Sequence, residues 1–367
     1  MAGEIKLLFD GTPATKAQLD LFRRISVDQG IGMVTEAELE MELLLDDTGR
    51  WVDLDEQFIE PFSRIRIEVK AGDEDFVPLI DGPVVAQRMS MSAEPDESTL
   101  TLVVNDDSVL LNQADGVSVF EELAASDIAE ILFAEAGLTP RVDSTSDGGG
   151  NLERAIVQRG TAAQLLRDLA RINGMALRVE PGPTPGTSLG VFARIELDKE
   201  DLPELLLTGE KRNLQSIDIE FDGLRPFAAA AATVDASSLE VLTAEASTSS
   251  QETLGDEPAH AIVTPARILM TRTRETAGDL DAAVAAATDS ASWAFTAKGE
   301  VDSAAYGAML RPYSTVPLAG AGPMSGRYLV VQVTHVIDDN EHRQQFTLRR
   351  NARSVVGGGA GLPGGIL

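Results

Sequence analysis

Carboxylates are the residues best suited to chemistry in this chain, because other reactive side chains are scarce. The 367-residue sequence has no cysteine and three histidines, whereas aspartate and glutamate together number 59. The lack of cysteine excludes disulfides, thiolate metal sites and cysteine nucleophiles. His260, His335 and His342 are scattered, and the last two lie in or beside a predicted hairpin. This spacing predicts neither a histidine-based metal site nor a Ser-His-Asp triad.

One stretch carries oxygen ligands at a calcium-like spacing. Asp143, Thr145, Asp147 and Gly148 match the first, third, fifth and sixth positions of an EF-hand loop. The twelfth position is Arg154, where the loop requires a bidentate glutamate. We therefore interpret the stretch as a solvated turn, and we expect no metal and no cofactor.

The other chemical motifs are incomplete. Gly30-Ile31-Gly32 lacks the third glycine and the following helix of a dinucleotide fingerprint. Neither a P-loop nor a Gly-x-Ser-x-Gly elbow occurs. Acidic residues gather at Asp46, Asp47, Asp53, Asp55 and Glu56. Nothing in their positions selects two of them as a glycosidase pair, so no catalytic residue is predicted.

Four glutamates form a regular acidic row at Glu36, Glu38, Glu40 and Glu42. They alternate with apolar residues, which predicts a strand with one acidic and one apolar face, although glutamate, leucine and methionine also suit a helix. Along a strand these like charges lie about 7 Å apart and repel one another. Two interpretations stay open. The row is either a solvated outer face or the lining of a central channel, whose negative wall would keep DNA or cargo from sticking.

The charge balance restricts the partners. The formal net charge is −29, so most of the surface repels polyanions, and nucleic-acid binding by counterion release is not expected. No apolar run reaches the length of a membrane span. The beginning, MAGEIKLLFD, lacks the pattern of a signal peptide, which predicts synthesis in the cytoplasm without one.

The elements that must position these residues are mainly strands in the first 112 residues. Segments 65–72, 76–92 and 99–107 are short alternating runs between acidic, glycine and proline clusters. This spacing is typical of an all-β barrel or sandwich. Pro78 and Pro83 indicate edges or bulges.

The pattern becomes helical after about residue 113. Ser126 is predicted to cap a helix that ends at Gly137. Segment 154–179 is predicted to be a strand, a helix capped by Thr161 and stopped by Gly174, and a second strand. Four apolar residues on one face of that helix indicate packing against a sheet.

The remaining segments alternate between loops, a helix and strands. Residues 181–188 are rich in proline and glycine and predict the tip of a hairpin. Segment 236–257 is interpreted as a long mobile loop, and an alanine-rich helix is predicted over 277–297. Segments 326–338 and 342–351 predict two strands joined by a turn.

The order of these blocks resembles the hub family of phage tails and contractile injection systems. That family includes phage late control gene D proteins and the hub portion of type VI secretion spike proteins. The resemblance is carried by RAIVQRGTAAQLLRDLARINGMALRV, the preceding SDIAEILFAEAGL, and RPYSTVPLAGAGPMSGRYLVVQVTHVID with RQQFTLRRN, and it covers nearly the whole chain. After Gly160 the chain has Thr161-Ala162-Ala163, where the family often has an acidic residue and then an aromatic one. Neither an oligonucleotide-binding fold nor a β-helix follows Asn351, so the spike is expected to be a separate chain.

The resemblance implies an α+β, β-rich fold with two tube-like antiparallel β-barrels and an α/β insert region. It further implies a homotrimer whose six barrels form a pseudo-sixfold ring. The implied segments are a first barrel over 1–112, an α/β insert over 113–200, a second barrel from 201–236 and 299–355, a loop and helix excursion near the insert over 237–298, and a flexible glycine-rich tail over 356–367.

The function implied by the resemblance is structural and not enzymatic. The hub would join a sixfold inner tube to a threefold spike and nucleate the tube, within the baseplate of an assembled particle. The implied partners are further copies of the chain, a spike protein, an inner tube or tube-initiator protein, and baseplate wedge or adaptor proteins. At the end of the tail, Ile366 and Leu367 are predicted to contact the spike or a neighbouring subunit, with disorder as the alternative. The rival functions are a tail-associated peptidoglycan hydrolase and a monomeric β-rich binding module; a phage, a headless injection system and a tail-like bacteriocin all fit the hub.

Overall fold

The first 112 residues form strands, as their alternation predicts. The computed structural model describes residues 4–52, 54, 56–71, 75–94, 97–145, 155–198, 202–235, 238–271, 277–338 and 341–355. The first elements are β1 (Glu4–Phe9), β2 (Thr12–Pro13), α1 (Lys16–Leu19), β3 (Phe22–Gly30), β4 (Glu36–Glu42), β5 (Arg64–Lys70), β6 (Val77–Ser90) and β7 (Thr99–Asn105). Irregular register between β5 and β6 and between β6 and β7 confirms the bulges that Pro78 and Pro83 indicate.

The middle of the chain mixes helices and short strands. Its elements are β8 (Asp115–Glu121), α2 (Ala125–Glu135), β9 (Thr139–Val142), β10 (Ala155–Thr161), α3 (Ala162–Asn173), β11 (Ala176–Pro181) and β12 (Ser188–Ala193). The caps predicted for α3 are confirmed. The Thr161 hydroxyl accepts a hydrogen bond from the Gln164 amide at 3.3 Å, and Gly174 ends the helix with φ of 63°.

The start of α2 differs from the prediction by two residues. The N-cap is Ala124, whose amide donates to the Asp127 carboxylate at 3.1 Å. Ser126 lies inside the first turn and exchanges hydrogen bonds with Thr145 instead. The carboxylate at the third helical position therefore takes the capping role that the sequence assigned to Ser126.

The last part of the chain returns to strands. Its elements are β13 (Leu205–Leu206), β14 (Ile217–Phe221), β15 (Phe227–Val234), β16 (Val241–Ala246), β17 (Glu257–Pro258), α4 (Ala259–Ile262), β18 (Ala266–Thr271), α5 (Ala277–Ser292), β19 (Phe295–Asp302), α6 (Ser303–Tyr306), β20 (Thr315–Ala319), β21 (Gly326–Asp338), β22 (His342–Arg350) and β23 (Ala352–Arg353).

Two predictions for this part were wrong. The segment 236–257, interpreted as a mobile loop, contains β16, which pairs with β15 along its whole length. The helix predicted over 277–297 ends at Ser292, and β19 begins at Phe295. The helix ends early because the residues after it form β19, which pairs with β22. The two strands are far apart in sequence, so helix propensity alone does not predict this pairing.

Thirteen strands form one continuous sheet in the order β14-β19-β22-β21-β3-β4-β7-β6-β5-β1-β2, with β20 attached to β21 and β13 attached to β20. All of its ladders are antiparallel except the short pairing of β13 with β20. The prediction of a β-rich fold with antiparallel sheets is therefore confirmed. Two closed barrels were implied, but among the described strands no ladder closes either of them by hydrogen bonds.

The large sheet contains the same strand order twice. The first unit has the order β1-β5-β6-β7-β4-β3, and the second unit has the order β13-β20-β21-β22-β19-β14. When the six strands of each unit are numbered 1 to 6 in chain order, both units have the order 1-4-5-6-3-2. The units are joined where β3 pairs with the second half of β21.

Each unit curls around its own apolar core. In the first unit the rings of Phe9 on β1 and Phe22 on β3 lie 6.3 Å apart, although these strands stand at opposite ends of the unit's order. In the second unit Leu205 on β13 shares a core with Ile217 and Ile219 on β14, which are again at opposite ends. Each unit thus brings its end strands together through side chains.

Among the described strands, four smaller groups lie beside the large sheet. β8 pairs with β10, β12 joins β9 and β11, β15 lies between β16 and β18, and β17 pairs with β23. α2 and α3 share a core with the β11–β12 hairpin, and α5 packs on β15 and β16. In the chain as described, no helix is both long and apolar enough to cross a membrane.

Candidate functional surface

The acidic row lies on one face of β4, opposite the apolar core. Ala37, Leu39 and Met41 are fully buried in the first unit, which confirms the predicted strand and places the alternating glutamates on the other face. Two glutamates form ion pairs with arginines of β3, which is next to β4, and of β6, which is two strands away. Glu42 contacts Arg23 of β3 at 2.7 Å, and Glu38 contacts Arg88 of β6.

This polar face, the side of the large sheet that carries the acidic row, continues across the junction into the second unit. Asp28 on β3 accepts hydrogen bonds from Gln332 at 3.1 Å and Thr334 at 3.0 Å, both on β21. Further along, Gln345 of β22 donates to Glu300 of β19 at 2.9 Å. Because cross-strand partners share a face, the polar surface extends over both units.

The four glutamates are brought together as predicted, but their place in a channel stays a prediction. Ile366 and Leu367, predicted to contact the spike or a neighbour, lie outside the described residues.

The calcium-like stretch is engaged in local hydrogen bonds where it is described. Asp143 accepts from the Arg194 amide at 2.8 Å, and Thr145 bonds to Ser126. The other three positions of the pattern, 147, 148 and 154, lie outside the described residues. Across the described ranges no three histidine, aspartate or glutamate residues are grouped to hold a metal ion.

Two of the three scattered histidines meet inside the molecule. The β21–β22 hairpin places His335 Nδ1 3.1 Å from His342 Nε2, and both rings are buried. Burial, with the neighbouring His342, holds the pKa of His335 well below its usual range. Burial also lowers the pKa of His342 to about 4, although the Asp302 carboxylate opposes the change. The pair is therefore neutral near pH 7, and it belongs to the core.

The acidic group at 46–56 does not form a catalytic pair in the described residues. Asp46 accepts from the Thr48 amide at 2.8 Å and the Arg50 amide at 2.9 Å, so it organises its own turn. The Thr48 hydroxyl and the Arg50 amide lower the pKa of Asp46, and Glu56 accepts from Gln18 at 3.3 Å. Asp53 and Asp55 lie outside the described residues.

Sequence reasoning missed a buried network of charges in the first unit. Arg64 contacts Asp81 and Asp107, each at 2.6 Å, while Arg66 contacts Asp81 at 3.0 Å and Glu68 at 2.7 Å. Burial by itself lowers the pKa of Arg64, but the hydrogen bonds and charges of Asp107 and Asp81 raise it above its ordinary value. The available signal was the charged alternation of β5, where arginines and a glutamate share one face.

This network fixes the insert to the first unit. The predicted hairpin tip reaches into it, because Gly182 O accepts from Arg66 at 2.9 Å and the Gly186 amide donates to Asp81 at 2.9 Å. The Ser188 hydroxyl donates to Asp107 at 2.7 Å. The chemistry of the cluster is thus positioning: three carboxylates and two arginines hold a loop in place.

A cleft of about 620 Å³ lies where the β3–β4 turn, α3, α5 and β21 meet. Its lining is largely apolar and includes Met33, Met175, Met270 and Trp293. Two charged residues of its lining are engaged by residues that do not line it, since Arg171 pairs with Asp168 at 3.2 Å and Asp289 accepts from the Ser249 hydroxyl at 2.7 Å.

A repeated six-stranded unit with an α/β insert between its copies defines the architecture of this chain. The chain matches neither a protein-family model nor a curated protein sequence. It is similar in structure to the 43 kDa tail protein of prophage MuSo2 from Shewanella oneidensis, with a TM-score of 0.67 and 17% identity over 95% of this chain and 99% of that one. A tail protein from Neisseria meningitidis MC58 aligns with a TM-score of 0.65 and 13% identity, over 96% and 97% of the two chains.

The similarity extends to a secretion system. The Escherichia coli c3393 protein, a type VI secretion component described as similar to the T4 phage tail proteins gp27 and gp5, aligns with a TM-score of 0.57 and 9% identity. The alignment covers 94% of this chain and 76% of that one. The resemblance to the hub family is therefore confirmed at the level of the fold.

Proposed function

We propose that this chain is the structural baseplate hub of a phage tail or contractile injection system. It acts as a homotrimer between a sixfold inner tube and a threefold spike. The observation that carries the proposal is the 1-4-5-6-3-2 strand order, which occurs twice in one chain. Three chains with two units each offer six similar surfaces to the tube and three identical ones to the spike. The likeness to solved tail proteins supports the same role.

The hub works through extended contacts and not through a catalytic group. Its partners are a spike protein, an inner tube or tube-initiator protein, and baseplate wedge or adaptor proteins. Its location is the baseplate of the assembled particle, where it nucleates the tube.

Reconstitution with the tube protein encoded nearby tests this role. We expect the purified chain to sediment as a trimer, alone or with its spike, and to start tubes that the tube protein does not form without it. Electron microscopy should show rings with six lobes. A monomer under both conditions would favour the binding module, and a cleared band in a peptidoglycan zymogram would favour the hydrolase.

We also propose that the polar face with Glu36, Glu38, Glu40 and Glu42 lines the central channel. Changing all four to lysine should leave particle number unchanged but reduce delivery of DNA or cargo per particle, because a positive wall retains polyanions. The four glutamine changes should have a smaller effect. Matched controls are Glu130→Lys and Glu135→Lys on the exposed side of α2. Undiminished delivery by the lysine variant would contradict the channel assignment.

A further proposal concerns the end of the chain. Ile366 and Leu367 supply an apolar anchor for the spike or a neighbouring subunit, on a glycine-rich tether. Removing 356–367 should abolish co-purification of the spike, and changing only Ile366 and Leu367 to alanine should do the same. Spike recruitment that is equal in all three proteins would exclude the anchor.

A further inference from the structure

The two units repeat one strand order, but only in the second unit does the outer half of the long fifth strand have a partner strand on both edges. β6 and β21 hold the same place in the strand order, and each shifts register at mid-strand, between Val84 and Ala86 and between Val330 and Gln332. Beyond that shift β21 pairs with β22 on one edge and with β3 on the other. β6 pairs with β7 on one edge, and no described strand pairs with the other edge there.

The turns beside these two strands match in detail. The Phe62 amide donates to Val84 O at 2.9 Å, just as the Tyr313 amide donates to Val330 O at 3.1 Å. Both aromatic residues have a positive φ, 66° and 70°, which is uncommon for bulky side chains. Tyr313 is covered by the β3–β4 turn, where the Gly32 amide donates to its hydroxyl at 3.0 Å. Phe62, in the same place in the first unit, is 67% exposed.

The open edge of β6 carries further apolar side chains. Residues of β6 and β21 that lie equally far beyond the register shift of their strand correspond to each other. By this count Met89 corresponds to His335, and Met91 corresponds to Ile337. His335 and Ile337 are 0% and 7% exposed, because β3 lies beside them. Met89 and Met91 are 50% and 53% exposed. Met89 and Met91 are more exposed than His335 and Ile337 because no described strand lies beside them as β3 lies beside β21.

The strand that takes the place of β3 in the second unit is β14, and its outer edge has no partner among the described strands. In the first unit, moving from partner to partner across the sheet from the register shift of β6 leads to Val27 on β3. In the second unit, the same steps from the register shift of β21 lead to Ile219 on β14, so Ile219 corresponds to Val27. By this alignment Leu224, just after β14, corresponds to Gly32, which contacts Tyr313. Leu224 is 94% exposed.

We propose that a second copy of this chain supplies the missing strand of β6. β14 of one copy pairs antiparallel with residues 86–91 of the next copy, and so repeats between chains the junction that β3 and β21 form within one chain. The contact is head to tail, and a head-to-tail contact forms a closed ring when the rotation between copies brings the last copy back to the first, as the three copies of the proposal do. The inference rests on the proposed function, which sets the number of copies at three.

The alignment fixes the contacts of this interface. Met89, Met91, Phe62 and Leu224, which are exposed in the single chain, gain apolar partners across it, two of them from the half-buried isoleucines of β14. The pairs are Ile217 with Met91, Ile219 with Met89, and Leu224 with Phe62.

Charges on the polar face are complementary in the same register. Within the chain, Asp28 of β3 accepts from Thr334 of β21 at 3.0 Å. The corresponding residues between copies are Glu220 and Arg88, which are exposed and of opposite charge. Arg88, which contacts Glu38 of its own chain, thus gains a second carboxylate across the interface.

Disulfide trapping tests the register, because the chain has no cysteine of its own. Ser90 and Asp218 are cross-strand partners in the proposed pairing, with Cα atoms within the reach of a disulfide. The double variant Ser90→Cys, Asp218→Cys should give covalent dimers and trimers on oxidation, and either single variant should not. In the matched control Ser90→Cys, Glu220→Cys, the two positions are diagonal and about 7 to 8 Å apart, so crosslinking should fall at least several-fold. Equal crosslinking in both double variants would refute the register.

Sedimentation tests the apolar contact without disturbing the fold, because Leu224 is on the surface. Leu224→Asp should convert the trimer to monomers, whereas Leu239→Asp should leave the trimer intact. Leu239 is a matched control, since it is 77% exposed and lies in the turn between β15 and β16, away from both proposed edges. Glu220→Arg should also dissociate the trimer, and adding Arg88→Glu should restore it.

The outcomes separate this inference from the proposed function. A trimer that withstands Leu224→Asp and gives no Ser90–Asp218 crosslink would overturn the interface and leave the hub proposal standing. A wild-type chain that stays monomeric alone and with its spike would overturn both.

Discussion

At the scale of single residues, the fold depends on polar groups that are buried with their partners. Asp81 is 1% exposed and is held by two arginines and the Gly186 amide. A buried ion pair adds little net stability, but removing one member leaves an uncompensated charge. This asymmetry determines which substitutions in the network are harmful.

Asp81→Ala is expected to destabilise the chain by about 3 to 5 kcal/mol, because Arg64 and Arg66 lose their shared carboxylate. The free energy of unfolding in urea measures the effect. The matched control Asp20→Ala breaks the exposed Lys16–Asp20 pair and should change stability by less than about 1 kcal/mol. Equal effects of the two variants would contradict the role of the buried network.

The histidine pair predicts a dependence of stability on pH. The folded state lowers the pKa of His342 to about 4, so unfolded chains bind the proton first as pH falls below about 6.5. The contribution of His342 to the free energy of unfolding is therefore fully present above pH 6.5 and is lost as the pH falls toward 4. Each such histidine contributes a slope of about 1.4 kcal/mol per pH unit in that window.

His342→Gln should reduce this slope, because glutamine does not titrate. Urea unfolding at several pH values between 4 and 7 measures it, and His260→Gln, outside the pair, is the control. The hypothesis fails if wild type and His342→Gln lose stability equally over this range.

At the scale of elements, local signals and long-range ladders contribute differently. α3 has a start signal, Thr161, and a stop signal, Gly174, in the local sequence, and both are used. The end of α5 and the start of β19 depend instead on pairing with β22, which lies some fifty residues further along the chain. The bounds of α3 were therefore predicted well, and the boundary between α5 and β19, which a partner strand defines, was not.

Thr161→Ala should destabilise the protein by about 1 kcal/mol, since the helix loses its N-cap. The midpoint of urea unfolding should shift without a change in its slope. Thr264→Ala, at an exposed loop position, is the matched control and should be neutral. A neutral Thr161→Ala variant would show that the cap contributes nothing to the folded state.

At the scale of the molecule, one sheet joins the two units. The ladder between β3 and β21 runs from Gln332–Gly30 to Asp338–Arg24, and Ile337 of β21 belongs to the core of the first unit. Such a junction couples the units, because separating them exposes backbone groups and apolar surface together.

The two units should therefore unfold in one transition. The chain has two tryptophans, Trp51 against the core of the first unit and Trp293 against β21. Trp51→Phe and Trp293→Phe leave one reporter each, and their fluorescence transitions in urea should coincide. Two separate midpoints would mean that the junction does not couple the units.

Much of the strand content was predictable, because alternation of apolar and polar residues survives in β4, β5, β7, β21 and β22. The acidic row and its common face were predictable for the same reason. The buried charge network was not, because a charged residue in a strand normally indicates solvent, and only the loop at Gly182 and Gly186 covers it here. The contact between His335 and His342 needed the hairpin register, which the sequence leaves open.

By itself the sequence determined the strand and helix types, the caps of α3, the acidic face of β4 and the resemblance to tail hubs. These properties depend on neighbours within a few residues or on the order of blocks along the chain. Only the tertiary structure decided that two units repeat one strand order, that β3 and β21 join them, and that β6 and β14 keep open edges. Strand pairing depends on residues far apart in the chain, and the same alternating pattern is compatible with many partners.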